Sequence, residues 1–213
     1  MNEPSSEPCD IAVVQRSPHI VGIGGTMRQG SGSEKALRYA LETARKLGAS
    51  IELFSGPDLA LPHYEPGHKL DHPTAARLIS ELNRADGVIV ASPGYHGSIS
   101  GLLKNVFDYM EEMRTGTRVY LEGRAVGCIV VANGAQALGS TLATVRSIVH
   151  ALRGWPTPYA ATILSSSGIF QDGQPANSDV ANALEIVATE VFTFAQMSKA
   201  HQIIGQKRPA SPN

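Results

Sequence analysis

Two stretches of the 213-residue chain hold residue types able to grip an anion and a flat ring. The first reads Gly24-Gly25-Thr26-Met27-Arg28-Gln29-Gly30-Ser31-Gly32-Ser33. Its glycines let backbone N–H groups turn inward, and the hydroxyls of Thr26, Ser31 and Ser33 add donors. The helical pattern that follows offers its positive N-terminus. Arg28 brings a planar guanidinium that meets phosphate through paired hydrogen bonds. Two other phosphate loops are excluded by spacing. Gly25 and Gly30 stand at Walker A spacing, but Ser31 occupies the Lys position and Gly32 the Ser/Thr position. Gly22 and Gly24 begin a dinucleotide fingerprint that Met27 breaks. The set favours a terminal phosphate monoester over a triphosphate or pyrophosphate. The plainer reading is a Gly/Ser loop with a helix N-cap at Ser33.

The second stretch, Ser92 to Asn105, reads SPGYHGSISGLLKN. It follows the apolar run Val88-Ile89-Val90-Ala91 and precedes apolar residues at helical spacing. Pro93, Gly94 and Gly97 allow a turn whose backbone lies close to a ring, with Gly94 and Gly97 permitting the approach. Tyr95 can pack beside that ring. Tyr95 and His96 could equally do no more than cover the end of a sheet.

The elements around these loops decide whether they meet. Strands are expected at His19–Ile23, Ser50–Phe54, Gly87–Ser92, Ala125–Ala132 and Thr157–Leu164. Helices are expected at Ser33–Leu47, Pro73–Ala85, from the second loop to near Arg114, and at Leu138–Leu152 and Ser178–Ala200. Apolar strands alternating with helices predict a parallel sheet covered on both faces. Five strands fit the flavodoxin-like order 2-1-3-4-5, an α/β three-layer sandwich. In that order ligands bind beyond the carboxyl ends of strands one and three, where the two loops lie. A planar heterocycle carrying one terminal phosphate, on this fold, points to FMN. Residues 19–204 are expected as one domain, with tails at 1–18 and 205–213.

With these motifs in place, the chain resembles the NADPH-dependent FMN reductase family of flavodoxin-like oxidoreductases. The resemblance runs from about Ile20 to Met197. It rests on residues 24–33 and 92–105, with weaker echoes in Asp-Leu-Ala-Leu-Pro-His-Tyr at 58–64 and Ala-Asn-Gly-Ala-Gln-Ala-Leu-Gly at 132–139. It implies that Thr26, Arg28, Ser31 and Ser33 hold the phosphate. It also implies that Pro93, Gly94, Tyr95, His96, Gly97, Ser98 and Ile99 cradle the ring, and that Asn133 and Gly134 line its outer side. NADPH (or NADH) is then the hydride donor and a small molecule such as free flavin or a quinone the acceptor. A homodimer or homotetramer with the flavin near a subunit interface is also implied. Many members read Pro-Glu-Tyr-Asn where this chain has Pro-Gly-Tyr-His, and Gly-Gly where it has Asn133-Gly134. Chemistry at a flavin needs orientation rather than a nucleophile, so no catalytic side chain is expected.

The remaining features bound the alternatives. A net charge of -1 gives no basic footprint for nucleic acid or an anionic membrane. It also speaks against a flavodoxin-type electron carrier, typically strongly acidic. A non-enzymatic FMN- or phosphate-binding module is the third reading. No apolar run approaches the roughly 18–20 residues of a membrane span, and the N-terminus lacks a secretory pattern. A cytoplasmic location is the default expectation. Cys9 and Cys128 form no metal or redox motif, and Cys128 reads as a core residue. His63, His68 and His72, with Glu65 and Asp71, read as a solvated connector and no metal site is expected. Trp155 is expected as a cap on the core. Leu102, Leu103, Val106, Phe107, Met110 and Met113 form an apolar set wider than one sheet face requires, which points to dimer contact through that helix.

Overall fold

Continuous apolar runs suit strands that are buried on both faces, and the sheet follows from them. In the computed structural model, residues 17–67, 71–166 and 168–206 are described, with the backbone alone for 200–206. Cys9, His68 and the tail segments 1–16 and 207–213 lie outside them. The elements are β1 (His19–Ile23), α1 (Gly32–Lys46), β2 (Ser50–Phe54), α2 (Pro73–Arg84), β3 (Gly87–Pro93), α3 (Gly101–Tyr109), β4 (Ala125–Ala132), α4 (Ala135–Ala151) and β5 (Trp155–Leu164). A short β6–β7 hairpin (Phe170–Gln171, Gln174–Pro175) and α5 (Ser178–Gln206) complete them. The five long strands are parallel in the order β2-β1-β3-β4-β5, as expected.

Alternation along the strands divides the core. Val88, Val90 and Cys128 pack with α2, α3 and α4, while Ile89, Ala91 and Ile129 pack with α1 and α5. α1 presents the expected stripe of Ala36, Leu37, Ala40, Leu41 and Ala44.

Several expectations need correction. The N-cap of α1 is Ser31, whose side chain accepts the Glu34 N–H, and not Ser33. β5 begins at Trp155 because the Trp155 N–H bonds the Arg124 carbonyl at 2.9 Å. α4 begins at Ala135, three residues ahead of Leu138, and α5 continues past Ala200. Trp155 does not cap the core. It opens an edge strand, is 61% exposed, and lies beside the Phe194 ring at 6.0 Å between centroids. The surplus apolar face on α3 does not exist either. Leu103, Val106, Phe107, Met110 and Met113 are all buried in the core shared with α2 and α4, and Leu102 is half-buried against it. These residues are consumed within one chain, so they give no ground for a dimer contact there.

The far end of the sheet is closed by a charge. Arg124 is wholly buried and donates to the carbonyls of Asn83 and Ala85 at 3.0 Å and Tyr120 at 2.8 Å. Burial pulls its pKa down to about 10. The exposed side of β5 is guarded by Pro156 and Pro158, which offer no N–H, and by Glu190, which accepts the Tyr159 N–H at 3.0 Å.

Cys128 is buried on β4, and burial pushes its thiol from 9.0 to about 12. The thiol stays neutral in the fold while an unfolded thiol ionises near pH 9. Its contribution to stability is complete below pH 9 and is lost as pH rises from 9 towards 12. In a Cys9→Ser variant, alkylation of the remaining thiol at pH 8.5 should be undetectable in the native protein and rapid in denaturant. Rapid native labelling would refute this.

Candidate functional site

The carboxyl ends of β1, β3 and β4 open into a cavity of about 440 Å³, within the size range of small-molecule sites. Thr26, Arg28, Ser31 and Ser33 line it from the loop after β1. Pro93, Gly94 and Tyr95 line it from the loop after β3, and Asn133 and Gly134 from the loop after β4. The fold thus brings together three loops distant in sequence. His96, Gly97, Ser98 and Ile99 sit in the adjoining turn and do not line the cavity itself. Gly32, Val131, Ala132, Ala137 and Ser165 line it and were not singled out from the sequence. Their signal was weak: Gly32 is the first helical residue, and the others are small or apolar residues next to strand ends.

The first loop is organised from within. The Thr26 hydroxyl accepts the Arg28 N–H at 3.1 Å, and the Arg28 carbonyl accepts the Ser31 N–H at 3.3 Å. A helix leaves its first four N–H groups without helical partners. The Ser31 hydroxyl takes that of Glu34 at 3.2 Å, and the Ser31 carbonyl takes that of Lys35 at 2.9 Å. The amides of Gly32 and Ser33, both residues at the cavity wall, have no partner among the described residues. The Ser33 hydroxyl is buried 3.4 Å from that of Ser31. Among the described residues the Arg28 guanidinium has no partner. Two amides, several hydroxyls and one unpaired cation make a donor set that fits a phosphate monoester.

The second loop is a tight hairpin. Tyr95 and Ser98 exchange backbone hydrogen bonds of 3.0 and 3.1 Å. The two residues between them, His96 and Gly97, have φ of 51° and 81°. Positive φ at both central positions defines a type I′ turn, which Asn-Gly or Asp-Gly usually fills. Its base is held by buried serines: the Ser92 hydroxyl accepts the Ser100 N–H at 3.3 Å, and the Ser100 hydroxyl caps α3 by accepting the Leu103 N–H at 3.1 Å. The glycines have other reasons than an approach to a ring. A Cβ on Gly94 would meet the Ala132 Cβ at 2.8 Å and Thr141 Oγ1 at 3.1 Å, inside the protein. Gly97 is demanded by its backbone conformation.

The 58–64 stretch joins this assembly through α3. Asn105 accepts the Tyr64 N–H at 2.8 Å and donates to the Pro62 carbonyl at 2.9 Å. The Tyr109 hydroxyl donates to the same carbonyl at 3.0 Å. Nearby, His63 is exposed, and Nδ1 of His72 is buried with no partner among the described residues. Among the described residues no three His, Cys, Asp or Glu side chains are grouped to hold a metal.

A five-stranded parallel sheet in the order 2-1-3-4-5, covered by helices on both faces, defines the class of flavodoxin-like proteins. The family model of the NADPH-dependent FMN reductases matches residues 18–167, and the chain belongs to that family. It is an oxidoreductase that uses FMN and NAD(P)H. It is similar to the NADPH-dependent FMN reductase ArsH of Shigella flexneri, with 25% identity over 86% of this chain and 71% of that one. An NAD(P)H-dependent FMN reductase of Pseudomonas aeruginosa is 30% identical over 58% of this chain and 68% of its own. A quinone reductase of Escherichia coli is 27% identical over 52% and 61% respectively. The fold is shared with the NAD(P)H:(acceptor) oxidoreductase FerB of Paracoccus denitrificans, at a TM-score of 0.64 and 22% identity over 86% of this chain and 98% of that one. No helix among the described residues is long and apolar enough to cross a membrane.

The turn gives a test that separates conformation from ring contact. His96→Asn supplies the preferred Asn-Gly pair, so the apo protein should melt at or above the native temperature. Gly97→Val forces a β-branched residue to positive φ and should cost about 1–2 kcal/mol, while also weakening flavin retention. Calorimetry of the apo proteins checks both, and an unchanged Gly97→Val melting temperature would contradict the turn assignment.

Proposed function

We propose that the cavity holds FMN with its phosphate in the loop of Thr26, Arg28, Ser31 and Ser33. Its ring would lie against the Pro93–Ile99 loop and Asn133-Gly134. The enzyme then takes hydride from NADPH (or NADH) and reduces a small-molecule acceptor, either a free flavin, a quinone or a similar compound. The observation carrying this reading is the junction, in one cavity, of a phosphate cradle after β1 and a backbone-built wall after β3.

FMN, when bound, supplies the hydride-carrying ring; the chain binds, orients and shields it. Arg28 and the amides of Gly32 and Ser33 anchor the charged end, which fixes the ring's reach across the switch point. Small residues on the far wall, Ala132 and Ala137, leave room for a flat group. Asn133 and Gly134 are exposed, so a second substrate can approach from their side. Cys128, buried and un-ionised, supplies no nucleophile.

The acceptor class is supported by relatives named for reducing FMN or quinone. We read residues 19–204 as one FMN-binding domain acting in the cytoplasm as a homodimer or homotetramer. Supporting the assembly, Met27 and Tyr95 stand 47% and 54% exposed beside the cavity, an apolar rim that a second copy could cover.

Arg28→Ala should weaken FMN binding at least tenfold, the equivalent of about 1.5–3 kcal/mol for a charged hydrogen bond. Riboflavin, which lacks the phosphate, should bind as to the native protein. Fluorescence titration measures both, and equal losses would refute the phosphate placement. Steady NADPH oxidation on adding FMN or a quinone identifies the acceptor. No turnover with any flavin, quinone or related acceptor would overturn the enzymatic reading.

A further inference from the structure

The loop assigned to the phosphate is pinned from beneath by a carboxylate. Glu34 lies in the first turn of α1 and is 5% exposed. Its Oε2 accepts the Gly30 N–H at 2.6 Å. Its Oε1 accepts two N–H groups of Arg38, at 2.9 and 2.7 Å, and the Ser55 hydroxyl at 3.3 Å. One side chain therefore ties the tip of the phosphate loop to the next turn of α1 and to the segment leaving β2. Gly30 has φ of +68°, a conformation that needs holding as well as glycine.

This arrangement contains a conflict of charge. A carboxylate in a first helical turn is favoured by the helix dipole. Yet Glu34 stands next to Ser33, whose amide is free for an anion, and like charges at short range repel, more so where water is sparse. Arg38 resolves the conflict. Its guanidinium meets Glu34 side-on, with Nε and Nη2 both donating to Oε1, while 58% of its side chain is exposed. It balances the carboxylate without occupying the cavity.

We propose that Glu34 is the positioning residue of the phosphate loop and that Arg38 is its charge balance. Together they set the preference for phosphorylated over unphosphorylated flavin. This rests on the reading that the FMN phosphate sits in this loop. Arg38→Ala leaves the buried carboxylate beside the anion without its counter-charge, so FMN affinity should fall about tenfold while riboflavin affinity changes less than about twofold. Glu34→Gln keeps an oxygen for the Gly30 N–H and removes the charge, so FMN should bind within about threefold of native. The double variant Arg38→Ala/Glu34→Gln should recover most of the loss seen in Arg38→Ala. Glu34→Ala frees the Gly30 N–H and should again cost about tenfold for FMN.

The test is fluorescence titration of the apo proteins with FMN and with riboflavin, alongside melting curves, with Arg28→Ala as control. Should Glu34→Ala fail to fold, the surface variant Arg38→Ala and its double variant carry the test alone. Equal losses for the two flavins in Arg38→Ala, or no recovery in the double variant, overturn the pairing if Arg28→Ala still discriminates. If Arg28→Ala itself loses both flavins equally, the phosphate placement falls and the role of Glu34 with it.

Discussion

The site depends on one topological constraint, the divergence of the chain after two neighbouring strands. β1 and β3 are paired in register from Ile20↔Gly87 to Ile23↔Val90. The chain leaves β1 for α1 on one face of the sheet and leaves β3 for α3 on the other. The two loops part towards opposite faces, so a crevice opens where the strands end. Gly32 and Ser33, at the start of α1, line it, and helix geometry gives their amides no partner within the helix. The cavity is thus a consequence of strand order, and the side chains refine it.

The two ends of the sheet treat arginine in opposite ways. Arg124 is sealed at the amino ends of the strands and satisfied by carbonyls alone. A buried cation is tolerated there because each N–H that counts finds an acceptor, which offsets desolvation. Nearby, Asp86 accepts the His19 N–H at 2.7 Å and pairs with Lys199 at 2.6 Å, closing the same end. At the carboxyl ends Arg28 is exposed, with no partner among the described residues. One residue type serves as a structural clamp or as a ligand hook, and the difference is whether the fold supplies its acceptors.

The sheet order was legible because β1, β3 and β4 are apolar runs and all five strands alternate with helical patterns. The first loop was legible because hydroxyls, glycines and an arginine before a helix admit few chemistries. The hairpin at 95–98 was not, since His96-Gly97 lacks the usual Asn or Asp before glycine. The β6–β7 hairpin did carry that signal in Asp172-Gly173, whose φ values of 48° and 80° make the same turn, and it went unread. Trp155 and the α3 residues failed for another reason. A tryptophan after Arg-Gly and a run of apolar side chains look alike whether a neighbour covers them or not. β5 starts at Trp155 and so carries that side chain on the edge strand, and α3 found enough neighbours in α2 and α4.

Glu34 and Ser92 show where sequence reading stops in principle. Either side chain, read alone, is an ordinary helix glutamate or a strand-end serine. Each gains its role from partners far away in the chain or across a loop: Glu34 from Ser55, Ser92 from Ser100. A buried polar group is costly unless it is bonded, so burial forces such residues to organise the backbone around them. The groups facing the cavity can therefore be mostly backbone and still hold their geometry. Their rigidity comes from buried polar side chains behind the loops, a layer that sequence motifs do not record because it touches no ligand.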